Sequence, residues 1–139
     1  MNARWEHFEH QADIGVRGYG ATLAEAFEQA GLAVIAIMVP LERVVPGTRV
    51  RVACEAQDDE MLFADWLNSI VREMSIRRMV FSRFCVSIET HRLSGELWGE
   101  FLDIDRHEPS VEVKAATYYE LKVWQDPQGG WVAQCVVDV

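Results

Sequence analysis

Three stretches of the sequence concentrate side chains that can handle protons, metal ions or phosphates. The first is Phe8-Glu9-His10-Gln11-Ala12-Asp13-Ile14-Gly15-Val16-Arg17-Gly18, preceded by His7 and followed by a capped helix start. Such a stretch could ligate a metal, supply a general base or form a solvated turn, and its residue types do not choose between them. His7 and His10 are three apart, and in a strand that spacing puts them on opposite faces. The second stretch closes the chain: the apolar run Cys135-Val136-Val137 leads into Asp138 and Val139. Termini usually fray. A strand that runs to the last residue instead fixes the Asp138 carboxylate beside the α-carboxylate of Val139. Two fixed carboxylates repel unless a cation or donor lies between them, and a hard divalent ion with oxygen ligands would suit. On spacing alone, two carboxylates facing water at a sheet edge is the simpler account.

The third stretch is a polar cluster. It comprises Gly99-Glu100 with Asp103, Asp105 and His107, then Glu112, Lys114, Thr117, Tyr118 and Tyr119. Lys114 stands between Val113 and Ala115 in an alternating run, so it projects away from their face, as a solvated lysine does. Familiar catalytic templates are missing. The sequence has no G-x-x-x-x-G-K-[ST] loop, no Rossmann glycine fingerprint, no G-x-S-x-G elbow and no H-E-x-x-H. Cys54, Cys85 and Cys135 lack the short spacings of zinc or redox motifs, and their apolar settings read as buried, reduced thiols. The five tryptophans are scattered and have no basic groove around them, which assigns most of them to packing.

Two helices are legible among the elements that must position these groups. Thr22-Leu23-Ala24-Glu25 is a capping box, and Leu23, Ala26, Phe27, Ala30, Val34, Ile37 and Met38 recur on one face until Pro40 closes the helix. A second helix starts near Asp58 or Asp59 and carries Leu62, Phe63, Trp66, Leu67, Ile70, Val71 and Met74 as its stripe. The rest alternates as strands. These are Trp5–His10, Ile14–Tyr19, Arg49–Glu55 with Val50, Val52 and Cys54 on one face, and Phe84–Glu89 with Phe84, Val86 and Ile88 inward. They continue with Leu93–Leu102, built on Leu97 and Phe101, a long strand Val111–Trp124, and Trp131–Val137 after a D-P-Q-G-G turn. Gly95 and Gly99 mark bulges or close approaches. The implied fold is α+β: two helices packed on a largely antiparallel sheet, as a sandwich.

Composition sets the outer limits. A length of 139 residues suits one domain, 1–139, and half of the residues are apolar, enough for a real core. No apolar run approaches a membrane span, and the charged, aromatic N-terminus does not read as a signal peptide, so a cytoplasmic, non-membrane protein is expected. The formal charge of −9 argues against strong direct RNA binding, despite the local cluster Arg72, Arg77, Arg78 and Arg83. It leaves room for cation binding and for docking onto a basic enzyme.

Taken in order, these motifs resemble the archease family over nearly the whole chain. F-E-H-x-A-D-I-G-V-R (Phe8–Arg17), the helix with Glu25, Ala26 and Phe27, and D-W-L-N (Asp65–Asn68) come first. Gly99-Glu100, His107, E-V-K-A-A-T-Y (Glu112–Tyr118) and the closing V-V-D-V follow. The resemblance implies a non-enzymatic partner that activates a GTP-dependent RNA ligase of the RtcB family, promoting its guanylylation and repeated turnover in tRNA splicing and RNA repair. It implies a divalent cation, commonly calcium, held by Asp13, Asp138 and Val139. It also implies a ligase-facing surface with Lys114, His107, Glu100 and His10, and RNA contact only through the ligase. Many relatives carry His where this chain has Tyr119, which puts a proton or metal role there in doubt. Two other readings compete: a small metal-dependent hydrolase using Asp13, Asp138 and His107, and a protein or RNA chaperone module.

Overall fold

In the computed structural model, which describes residues 1–139, β1 (Arg4–His10) turns through Gln11-Ala12 into β2 (Asp13–Gly20). Helix α1 (Leu23–Met38) follows. The Thr22 hydroxyl accepts from Glu25 N–H at 3.1 Å, while the Glu25 carboxylate reaches back to Ala21 N–H at 2.8 Å, one residue earlier than the capping-box pattern predicts. Next come β3 (Thr48–Glu55) and α2 (Asp59–Arg77), whose cap Asp58 accepts from Met61 N–H at 2.8 Å. Arg78 ends α2 in the left-handed region, at φ 55°, and turns the chain straight into β4 (Met79–Glu89). The remaining elements are β5 (Arg92–Phe101), a single-turn α3 (Ile104–His107), the short β6 (Ala115–Ala116), β7 (Lys122–Gln125) and β8 (Trp131–Asp138).

The strands make two antiparallel sheets rather than the single sheet expected. One has the order β1-β2-β8-β6 with β7 also on β8, and the other the order β3-β5-β4. Helix α1 packs against β2 in the first sheet and β4 in the second, so its broad apolar stripe serves both. It lies so close to β2 that a Cβ added at Gly18 would run into the Ala26 carbonyl oxygen and lie 2.5 Å from Ala30 N. The second helix brings Phe63 and Trp66 into the shared core. There the Trp66 indole donates to the Phe27 carbonyl at 2.9 Å, which satisfies the polar end of a fully buried ring.

The structure revises several sequence expectations. The strand expected over Val111–Trp124 is reduced to β6 and β7. Upstream, Ser110 donates its N–H to the Met38 carbonyl (2.9 Å) and its hydroxyl to Ile37 (3.0 Å), tying the chain at this point to the end of α1 instead of a sheet. Downstream, residues 117–121 bow away from β8 although Val136 N–H still donates to the Tyr119 carbonyl, and Glu120 takes φ 53°. The face alternation slips in consequence: Val113 and Ala116 are buried, and Val111 is exposed. Phe101, expected inside, is 75% exposed because β5 ends there. Gly99 does mark a close approach: a Cβ there would strike the Val80 carbonyl, beside the β4 register shift between Phe81 and Arg83. Of the cysteines read as buried, Cys135 is, with burial pushing its thiol up to about 12. Cys54 is only half-buried, and Cys85 is exposed on the outer face of β4.

Candidate functional site

Three segments distant in sequence meet at one end of the five-stranded sheet. The β1–β2 hairpin places His10 and Asp13 as cross-strand partners on either side of its turn. Strand β8 lies beside β2, with Val137 opposite Ile14, and on its other side Asp138 pairs with Ala115. Backbone bonds complete the junction. Lys114 N–H donates to the Asp138 carbonyl at 2.9 Å, and Val139 N–H points at the Asp13 carboxylate at 3.4 Å. Asp13, Asp138 and Val139 are half-buried and Lys114 is exposed. The carboxylates of Asp13 and Asp138 have no ion-pair partner, and neither does Lys114. His10 lies against the exposed Tyr119, with ring centroids 5.8 Å apart and planes tilted by 34°. His7, on the other face, donates from Nε2 to the Ala33 carbonyl of α1 at 2.7 Å.

In donor type the edge fits a hard divalent cation: unpaired carboxylate oxygens with no competing positive side chain bound to them. In number it falls short of a closed cage, because no three His, Cys, Asp or Glu side chains gather anywhere in the structure. Calcium takes about 6–8 oxygens. Asp13 and Asp138 would therefore need oxygens from the backbone, the Val139 carboxylate, water or a partner.

A second polar site lies at the end of the three-stranded sheet. Glu100 takes a two-pronged bond from Arg106 at 2.6 and 2.9 Å, a third from Val45 N–H at 2.8 Å, and a fourth from His107 Nε2 at 2.9 Å. The His107 tautomer follows from its other nitrogen: Nδ1 accepts from Asp103 N–H at 2.8 Å, so Nε2 carries the proton and donates to Glu100. The Arg106 guanidinium first, helped by Val45 and His107 and opposed by burial, holds the Glu100 carboxyl down at about 2.

Residues 5–139 match the model of the archease protein family (MTH1598/TM1083). The chain belongs to the archease family. It is similar to the archease of Pyrococcus furiosus, at 40% identity, and to that of Thermococcus gammatolerans, at 42%, covering 98% of this chain and 99% of each relative. The solution structure of Methanobacterium thermoautotrophicum protein 1598 superposes with a TM-score of 0.85 at 30% identity, covering 97% of this chain and 98% of that one. The crystal structure of a Thermotoga maritima archease, described as a possible chaperone, shares the fold at a TM-score of 0.64 and 21% identity, with 96% of each chain covered. No helix here is long and apolar enough to cross a membrane.

Within this archease-family fold, the residues expected to act together divide into two places. Asp13, Asp138 and Val139 meet, with His10 paired to Asp13 across the hairpin and the Lys114 backbone bonded to Asp138. Glu100 and His107 do not join them: none of their hydrogen bonds or ion pairs reaches that edge. His107 was expected on a partner-facing surface, but it is fully buried with both ring nitrogens engaged, which leaves it no atom to present outward. Sequence reading also missed Arg106, the strongest partner of Glu100; the signal was an arginine one position before the histidine, in a turn capped by Asp103. It missed a network on the outer sheet face as well. There Glu6 accepts from Tyr19 and Arg17, both at 2.6 Å, and Arg17 donates onward to Gln134 at 2.8 Å. The Tyr19 hydroxyl first, then the Arg17 guanidinium, keep the Glu6 carboxyl below the usual range. Hairpin register alone would have placed Glu6 opposite Arg17.

Proposed function

We propose that this chain is a non-enzymatic activator of a GTP-dependent RNA ligase of the RtcB family, promoting its guanylylation and repeated turnover. What carries the reading is the meeting of Asp13, Asp138 and Lys114 at one sheet end, within a chain that matches the archease family from residue 5 to 139. Asp13 and Asp138, with the Val139 carboxylate, would hold a divalent cation, calcium as the family resemblance implies. The ion would supply positive charge at an otherwise acidic edge and polarise oxygens bound to it. Lys114 adds a mobile ammonium beside that edge, suited to a phosphate of a nucleotide held by the partner. His10 and Tyr119 wall one side of the edge and set which shapes can approach. The open, incomplete donor set favours a role in which a partner protein brings the missing oxygens.

The test is GTP-dependent labelling of the ligase from the same organism, with and without this chain, using radiolabelled GTP. Faster labelling and more joined RNA ends per ligase are expected, with no turnover by the chain alone. Asp13→Ala that accelerates labelling as well as the parent would remove the metal-centred mechanism. The Thermotoga maritima relative's description as a possible chaperone gives a second reading, favoured by the large apolar side chains exposed in this structure. Suppressed aggregation of the ligase during heating, without any change in its labelling rate, would select it.

A further inference from the structure

The C-terminal ends of α1 and α2 and the strap from Pro109 to Val113 enclose a groove of about 610 Å³ that the candidate site does not use. Its floor is apolar and adaptable: Met38, Met74 and Met79 line it, three of the five methionines in the chain. Methionine-rich linings mould to varied side chains. Its rim carries Ile104 and Val111, which are 69% and 43% exposed, and Phe101, 75% exposed, precedes the lining residue Leu102. Isolated exposed aliphatics are ordinary, but several around one groove mark a protein contact surface. Nothing in the local fold requires Ile104 to be apolar. The turn of α3 needs only Asp103 as cap and His107 as anchor, and the Ile104 side chain is left in water.

Charge indicates the occupant. Of the thirteen Lys and Arg residues, Arg72, Arg78, Arg83 and Lys114 form no ion pair, although acids outnumber bases by 22 to 13. Arg78 lines the groove, so one of these unpaired cations sits at it. Glu112 is the one lining acid. The strap that forms one wall runs on into Lys114, whose N–H is bonded to Asp138. The strap thus leads along the chain from the groove to the carboxylate edge.

We infer that this groove is a second docking point for the same partner protein, receiving a segment that inserts an apolar side chain and places a carboxylate against Arg78. The inference rests on the ligase-activator reading above. The experiment measures the affinity of the cognate ligase for the full chain and for two variants, Ile104→Asp/Val111→Asp and Arg78→Asn. The first pair is on the rim, and Asn tolerates the left-handed backbone at 78, so both should fold; thermal melts check this. About tenfold or greater weakening is expected for the double variant. A smaller loss, with a flatter dependence on salt, is expected for Arg78→Asn, and unchanged calcium titration for both. If the parent binds the ligase and the double variant binds equally well, the groove is not a docking point and the activator reading stands. If the parent does not bind the ligase at all, both fall.

Discussion

At the scale of single residues, the chain separates carboxylates that are satisfied from carboxylates that are not. Glu100 and Glu6 have arginine and hydroxyl donors and are held in the charged form. Asp13 has only a long contact from Val139 N–H, and Asp138 has no side-chain partner. The second kind is where an added cation gains most. Asp13→Asn and Asp138→Asn should each weaken calcium binding about tenfold or more, as read by calorimetric titration, while leaving the urea midpoint nearly unchanged. A peptide tag appended after Val139 should weaken it too; equal affinity would remove the Val139 carboxylate from the donor set. Glu28 illustrates the opposite imbalance. Its carboxylate accepts from Val86 N–H of β4 at 2.8 Å, yet burial pushes its pKa up. A raised carboxyl pKa contributes stability that is present in acid and lost as pH rises through the raised value. Glu28→Gln keeps the acceptor and drops the buried charge, so its urea midpoint should exceed the parent's at pH 7.5, and the gain should shrink by pH 4.5.

Elements differ in how far sequence alone revealed them, and the difference follows the range of the forces that set them. The two long helices were legible because their caps and stripes are local: Thr22 and Asp58 do what their types predict, and Phe27, Phe63 and Trp66 face inward at helical spacing. The segment from Val111 to Trp124 was not. Its alternation is real, but Ser110 is captured by the end of α1 and Thr117 by the Val136 carbonyl, partners that no local pattern names. The candidate site shows the same limit. Nothing in the order of the chain says that the β1–β2 turn and the last strand are neighbours, so Asp13 and Asp138 were joined only through the family resemblance. The three groups around Glu100 belong together for the same non-local reason, and acid should expose them. Glu100, lowered from 4.5 to about 2, contributes stability above its unfolded value that is lost as pH falls toward 2. Glu100→Gln should lower stability at pH 7 and flatten its decline between pH 4.5 and 2, seen in urea midpoints across that range. Packing of α1 on β2 makes a sharper demand. A methyl group at Gly18 meets helix backbone, not a movable side chain, so Gly18→Ala should cost at least the ~1–3 kcal/mol of ordinary overpacking.

Across the whole molecule, the acidic balance would favour docking against a basic protein, as the proposed action on an RNA ligase requires. With 22 acidic against 13 basic residues, a net charge of −9 is spread over only 139 residues, and the charges at the candidate edge belong to that excess. An RNA ligase must present positive surface to its phosphate-rich substrate, so the fields of the two proteins would draw them together before any contact forms. Such steering would act on the rate of encounter, whereas the groove beside Arg78 and the rim residues Ile104 and Val111, as a docking point, would act on how long the complex lasts. The two contributions can therefore be separated in one experiment. Stopped-flow association of the chain with the cognate ligase should slow by about tenfold between 0.05 and 0.5 M salt, because the Debye length shrinks to a few ångströms. Dissociation of the parent complex should change much less. Ile104→Ser/Val111→Ser, which leaves the net charge at −9, should reverse the pattern, leaving the association rate and its salt dependence near the parent's and raising the dissociation rate. An association rate indifferent to salt would show that the acidic surface serves only solubility, and that recognition rests on the carboxylate edge and the groove.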